Sequence, residues 1–181
     1  MADLSKLTPG TWNVDAVHSN VAFTVRHLVV AKTRGRFGTF EGVVTIAEEP
    51  LQSKVEATVQ TASIDTGDEG RDNHLRTNDF FEAETHPTMT FVTTSITPDG
   101  DDYELTGDLT IKGVTKPVTW DLEFNGVVTD PWGNTRAGFS AETEINRKDW
   151  GLDYNAVLEA GGVLIGEKVK LNLEIEAVKA S

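Results

Sequence analysis

Residues 169–177 alternate without a break. Val169, Leu171, Leu173, Ile175 and Ala177 fall on one side of an extended chain, and Lys170, Asn172, Glu174 and Glu176 on the other. A side-chain period of two belongs to a strand with one dry face and one wet face. Slipping its register by one residue would carry the whole apolar set into water, so the pattern dictates both conformation and facing.

The same alternation recurs along most of the chain. Val55, Ala57 and Val59 show it, as do Leu105, Gly107, Leu109 and Ile111. Val118, Trp120, Leu122 and Phe124 form another such set, and Phe139, Ala141, Thr143 and Ile145 the next. Val21, Phe23 and Val25 carry it more weakly. Turn signals at Pro98-Asp99-Gly100, Lys112-Gly113 and Asp130–Asn134 separate the runs. About eight strands result, and no helical pattern is long enough to cover a sheet. The helix candidates are residues 68–78 and a turn within 150–160.

One-faced antiparallel strands close into a barrel or stack as a sandwich. Long strands with short turns favour an extended, up-and-down barrel of eight antiparallel strands, all-β apart from the short helical segment near 68–78. A barrel of that size is filled by its own side chains or holds one small ligand. The inward set mixes Phe23, Phe91, Trp120, Phe124 and Phe139 with Ala57, Gly107 and Ala141. Small residues opposite rings serve a channel or an interdigitated core equally well.

The one segment that stops alternating is 65–91. Asp68, Glu69, Arg71, Asp72, His74 and Arg76 crowd together, and the pair Phe80-Phe81 follows. A polar helix ending in two aromatics suits a lid over an apolar interior, and a greasy occupant comes before any reaction. The same charged residues hold the parts for acid–base chemistry, yet any polar helix shows that spacing. No catalytic residue is assigned.

Length and charge bound the rest. The 181 residues read as one domain, 1–181, and the net charge of −13 argues against nucleic acid and against anionic membrane surfaces as general partners. There is no cysteine, which removes disulfides and thiol chemistry. The spacing of His18, His27, His74 and His86 matches no metal signature, so no metal and no required cofactor are expected. The N-terminus has no apolar leader pattern and no run spans a bilayer, so a cytoplasmic location is expected, with at most transient membrane contact.

Two local features stand apart. From Ala16 to Phe40 there is no Asp or Glu, while Arg26, His27, Lys32, Arg34 and Arg36 surround an apolar Leu28-Val29-Val30 hairpin. This is a dock for an anionic group or membrane surface, or a solvated loop that balances nearby acids. Gly35, Gly38 and Gly42 make the following strand glycine-dense, which is expected to serve barrel curvature. Phe37 and Phe40 are three apart, and a bulge between them would turn both inward.

Taken in order, these residues resemble the YceI-like family of lipocalin-like polyisoprenoid-binding proteins. The resemblance rests on Trp12, Asp15, His18, Ser19, Phe23 and His27, then on Gly35, Phe37, Phe40 and Gly42. It continues through Asp68, Arg71, Asp72, His74, Leu75, Asp79, Phe80, Phe81, Pro87 and Phe91. Gly107, Leu109, Gly113, Val114, Thr115, Phe124 and Gly126 complete it. It implies an eight-stranded barrel around a long hydrophobic tunnel, an isoprenoid or similar lipid inside, and often a homodimer. Many relatives of this kind carry a signal peptide, and the expectation for this chain is that it does not.

The resulting expectation is non-enzymatic binding, storage or transport of a polyprenol, polyprenyl phosphate or quinone. The tail would lie against Phe23, Phe37, Phe40, Phe80, Phe81 and Phe91, and against Leu109, Trp120, Leu122, Phe124, Phe139 and Trp150. Head-group contacts fall to Arg26, His27, Arg34, Arg36, Arg71 or His74. An enzyme acting on a lipophilic substrate and a ligand-free structural barrel are the alternatives.

Overall fold

In the computed structural model, which describes residues 3–156, 158 and 164–181, the alternating runs become eleven strand segments. They are β1 (Gly10–Val14), β2 (Asn20–His27), β3 (Ala31–Phe37), β4 (Phe40–Ile46), β5 (Lys54–Gln60) and β6 (Ile64–Asp65). The longer β7 (Thr88–Asp99), β8 (Asp102–Ile111), β9 (Val114–Thr129), β10 (Thr135–Asn146) and β11 (Ile165–Lys179) follow. Among the described residues the one α-helix is α1 (Glu69–Leu75), inside the segment expected to be helical. A 3-10 turn at Arg147–Trp150 precedes the expected 150–160 turn, and residues 157, 159 and 160 of that turn lie outside the described residues.

The eleven segments make eight staves. β1 and β2 run one after the other along β11, with Trp12 opposite Lys179 and Phe23 opposite Leu171. β3 and β4 form a second broken stave, and β5 and β6 a third, divided by a 3-10 turn at Thr61–Ser63. Each stave pairs antiparallel with its sequence neighbours, and β1 closes the ring by pairing with both β4 and β11. The result is the expected closed antiparallel barrel of eight strands. Closure leaves no long unpaired edge, which a flat eight-stranded sheet would expose twice.

Register carries the apolar residues inward. Phe139 sits between Phe124 on β9 and Ile175 on β11, and Ala141 between Leu122 and Leu173. Phe37 and Phe40 both face the interior, but no bulge is involved. β3 stops at Phe37 and β4 starts afresh at Phe40, while the Gly38 N–H is taken by the Ser63 carbonyl at 3.1 Å.

Gly35 also departs from expectation. It is a seat for an aromatic ring rather than a point of curvature. A Cβ there would come within 2.3 Å of the Phe23 ring. Gly107 does the same for Phe91 on the opposite wall, at 2.4 Å. At both places a ring occupies the space that a Cβ would need, a close approach that any side chain would block.

The two ends of the barrel differ. One end is stoppered by Trp12, fully buried, with Leu7, Val44, Ile46, Phe124, Ala137 and Ala177 around it. The Trp12 indole N–H donates to the Thr8 carbonyl at 3.0 Å, so the plug is both apolar and satisfied. Beneath it Arg136 ties three elements together. Its Nε donates to Asp130 at 2.7 Å, and its Nη1 to Asp15 at 2.8 Å and Glu176 at 3.0 Å. The Arg136 guanidinium holds the Asp15 and Asp130 carboxyls down to about 2, and His18 reinforces the shift at Asp15. The other end gathers the β2–β3 hairpin, α1, the Lys112-Gly113 turn, Tyr154 and Leu164.

Two measurements test this account. Gly107→Ala is expected to destabilise the barrel by about 1–3 kcal/mol in urea unfolding. In a Phe91→Ala background the added cost of Gly107→Ala shrinks but does not vanish, because the Val92 carbonyl also lies 2.5 Å from the added Cβ. The Asp15 and Asp130 shifts are downward, so their contribution is complete above the ordinary carboxylate range. It is lost as the pH falls from about 4 towards 2. Arg136→Met therefore lowers the unfolding midpoint at pH 6 and flattens its decline through that acid window.

Candidate functional site

The inward faces enclose a hollow. A cavity of about 540 Å³ extends from Leu7, Ile46 and Leu51 near the stoppered end to Phe80, Tyr154 and Leu164 at the other. That volume lies within the range of about 300–1,000 Å³ typical of small-molecule sites. Gly42, Ala57 and Ala141 border it, so the small residues serve a channel and not a solid core.

All twelve apolar residues expected at the site border the cavity: Phe23, Phe37, Phe40, Phe80, Phe81, Phe91, Leu109, Trp120, Leu122, Phe124, Phe139 and Trp150. They form pairs along its length and not one cluster. Phe124 and Phe139 lie 5.5 Å apart towards the stoppered end. Phe91 meets Trp120 edge-on at 6.1 Å, and Phe37 bridges Phe23 at 5.7 Å and Phe81 at 6.0 Å. Trp150 is fixed by its indole N–H, which donates to the Leu109 carbonyl at 3.0 Å.

The charged segment after β6 holds the mouth in shape. Asp68 caps α1 by accepting the Arg71 N–H at 2.8 Å. Buried Asp72 accepts both the backbone N–H and the hydroxyl of Thr66. Arg71 returns two bonds to Thr66, at 2.7 and 2.9 Å. Arg76 donates to the carbonyls of Ala62 and Ile64. His74 turns away from Asp72 and bonds Asp79 at 2.8 Å. These polar groups are committed to one another, which is the structural role that a polar helix serves.

Over this frame sits a ring cluster. His74 packs edge-on against Phe80 at 5.1 Å and against Tyr154 at 4.9 Å, and Phe80 meets Tyr154 at 5.1 Å. The three rings cover the open end. Sequence reasoning missed Tyr154, which no alternating run reaches.

The expected head-group residues divide. Arg26, His27, Arg71 and His74 border the cavity. Arg34 and Arg36 do not, and the expectation for them is corrected. On β3 the inward positions are Thr33, Gly35 and Phe37, which leaves both arginines on the outer wall. Arg36 reaches Asp65 there at 3.7 Å.

Arg147 was not anticipated. Its side chain is buried at the mouth and borders the cavity. Nε donates to the Gly166 carbonyl at 2.8 Å, and the Nη atoms to Leu152 and Ile165. No carboxylate of the described residues pairs with it directly. Burial lowers its pKa, while Glu167 and Asp153 oppose the shift from a distance. A signal existed in the sequence, because Arg147 continues the inward register of Ile145 by two residues.

Comparison with known proteins agrees with this architecture. The profile of the YceI-like domain matches residues 12–177. A UPF0312 protein of Staphylococcus epidermidis is 43% identical over 167 residues, covering 91% of this chain and 95% of the relative. Protein YceI of Escherichia coli is 41% identical over 163 residues, covering 90% and 82% respectively. The crystal structure of Burkholderia cenocepacia BcnA superposes with a TM-score of 0.76 at 25% identity, over 90% of this chain and 98% of BcnA. A polyisoprenoid binding domain from Saccharophagus degradans superposes with a TM-score of 0.73 at 16% identity, over 96% and 100%, a likeness of fold.

The ring cluster makes a kinetic prediction. Tyr154→Ala removes one of three covering rings without touching the barrel wall. Entry of N-phenyl-1-naphthylamine, followed by stopped-flow fluorescence, is expected to speed up several-fold while the melting temperature moves little. An unchanged entry rate shows that the rings do not gate this end.

Proposed function

This chain belongs to the YceI-like family, and we propose that it binds one long isoprenoid-type lipid lengthwise in the barrel as a carrier or store. The observation that carries the reading is the shape of the cavity. It is largely apolar along its length, closed by the Trp12 cluster at one end, and its basic groups Arg26, His27, Arg71, His74 and Arg147 gather at the other. Strands of about a dozen residues, tilted by about 40°, make a barrel roughly 30 Å tall. A prenyl tail of several units matches that depth, with its head group at the mouth. Catalysis is less supported, because Arg71, Asp72 and His74 are spent on loop contacts and form no acid–base pair with one another.

Arg147 is the polar residue we assign to the head group. A guanidinium has five N–H donors, and three bonds to carbonyls leave capacity for an anionic or carbonyl oxygen. Arg71 and His74 stand at the same mouth. This favours a polyprenyl phosphate or quinone over the plain alcohol.

Organic extraction of protein purified from its native host, followed by mass spectrometry, is expected to release a polyprenyl species. Adding it back to stripped protein raises the melting temperature, since a ligand that binds only the folded state stabilises it. Ala141→Trp, which fills the channel between Leu122 and Leu173, abolishes that rise. Arg147→Met lowers affinity for a polyprenyl phosphate at least about tenfold more than for the alcohol, roughly one charge-assisted bond. Lipid-free protein that no prenyl compound stabilises would sink the reading.

A further inference from the structure

We propose that the β2–β3 hairpin docks the mouth of the barrel onto an anionic phospholipid surface. Four observations converge on these few residues. The tip is aliphatic and open to solvent, with Leu28, Val29 and Val30 exposed by 38%, 60% and 85%. Its backbone is strained: Leu28 and Val29 hold φ of +54° and +65°. A β-branched residue in that region is an outlier that glycine or asparagine would relieve.

Charge opposes stability as well. Arg26 and Lys32 are direct cross-strand partners on β2 and β3, and like charges so placed repel. Arg34 extends the patch one pleat further along the outer wall. Among the described residues, the acids on the flanking strands are engaged elsewhere, Asp65 of β6 with Arg36 and Glu167 of β11 with Lys148 at 2.9 Å. No acid occurs from Ala16 to Phe40 in a chain of net charge −13.

A greasy tip within a cationic collar is what an anionic bilayer recognises. The aliphatic side chains enter the boundary of the acyl region, and the collar meets the phosphates. At physiological salt, negative charge further than a Debye length of about 8–10 Å from the contact is screened. Position supplies the purpose. Arg26, His27 and Thr33 border the cavity, so a docked hairpin sets the opening against the lipid. The docking does not depend on what the cavity holds.

The test is flotation of the full chain with vesicles of phosphatidylcholine containing about one-third phosphatidylglycerol, against pure phosphatidylcholine. Binding to the anionic vesicles at about 0.05 M salt and release at about 0.5 M are expected. The double variant Lys32→Glu, Arg34→Glu lowers partition at least about twentyfold, since each cation is worth roughly fivefold. Leu28→Asn with Val29→Gly separates docking from folding. It relieves the turn, raises the melting temperature by about 2–4 °C and still weakens partition.

Wild-type protein that ignores anionic vesicles at low salt overturns the proposal. So do variants that partition like wild type, or a hairpin-dependent dimer in sedimentation without lipid. Ala141→Trp keeps its partition, so failure of lipid loading and failure of docking are read separately.

Discussion

The fold depends on one closure, in which β1 hydrogen-bonds to β4 on one side and to β11 on the other. A sheet of eight one-faced strands has an apolar side too wide to leave open and two edges prone to association. Curling the first stave against the last removes both problems at once. Closure also converts a repeating pattern in sequence into an enclosed volume. Once the alternating apolar positions are committed inward, their sizes decide whether that volume is filled.

Here the sizes leave it hollow. Rings are placed against small residues on a neighbouring strand, as Phe23 on Gly35 and Phe91 on Gly107. A ring seated where the glycine has no side chain stays close to the wall. The glycines thus set the bore of the channel, a role different from curvature. Replacing either pushes a ring inward, and the change is felt in cavity shape as well as in stability.

Most of the architecture was legible because a period of two is a strong signal. β5, β8, β9, β10 and β11 all fall where the alternation of Val55, Leu105, Trp120, Phe139 and Leu171 places them. Most of the twelve apolar wall residues follow from the same parity, whereas Phe80, Phe81 and Trp150 lie outside the strands. What failed did so where the parity was not carried through. Continuing the inward register along β3 from Thr33 through Gly35 puts Arg34 and Arg36 outside. Continuing it past Ile145 puts Arg147 inside. Tyr154 was illegible in principle, because a residue in an irregular segment is positioned by tertiary packing alone. The glycine at 35 was ambiguous because curvature and ring contact require the same absence of a Cβ.

The two ends of the barrel divide the labour. At the stoppered end the charges are matched: Arg136 meets three carboxylates, and Trp12 has no exposed surface. At the mouth stability is conceded instead, through left-handed Leu28 and Val29, the Arg26–Lys32 opposition and an ion-pair-free Arg147 among the described residues. Regions that open are drawn from the less stable parts of a fold. For a membrane lipid as the proposed cargo, the energetics give that asymmetry a reason. Such a lipid already sits in hydrocarbon, so transfer into an apolar barrel gains little from the hydrophobic effect. Crossing water between the two would cost about 25 cal/mol for each Å² exposed. Net affinity then falls to ring packing and head-group contacts, and the rate of transfer falls to how closely the mouth approaches the bilayer. A mouth bearing cations and an aliphatic tip answers the second requirement, and a buried guanidinium beside the channel answers the first.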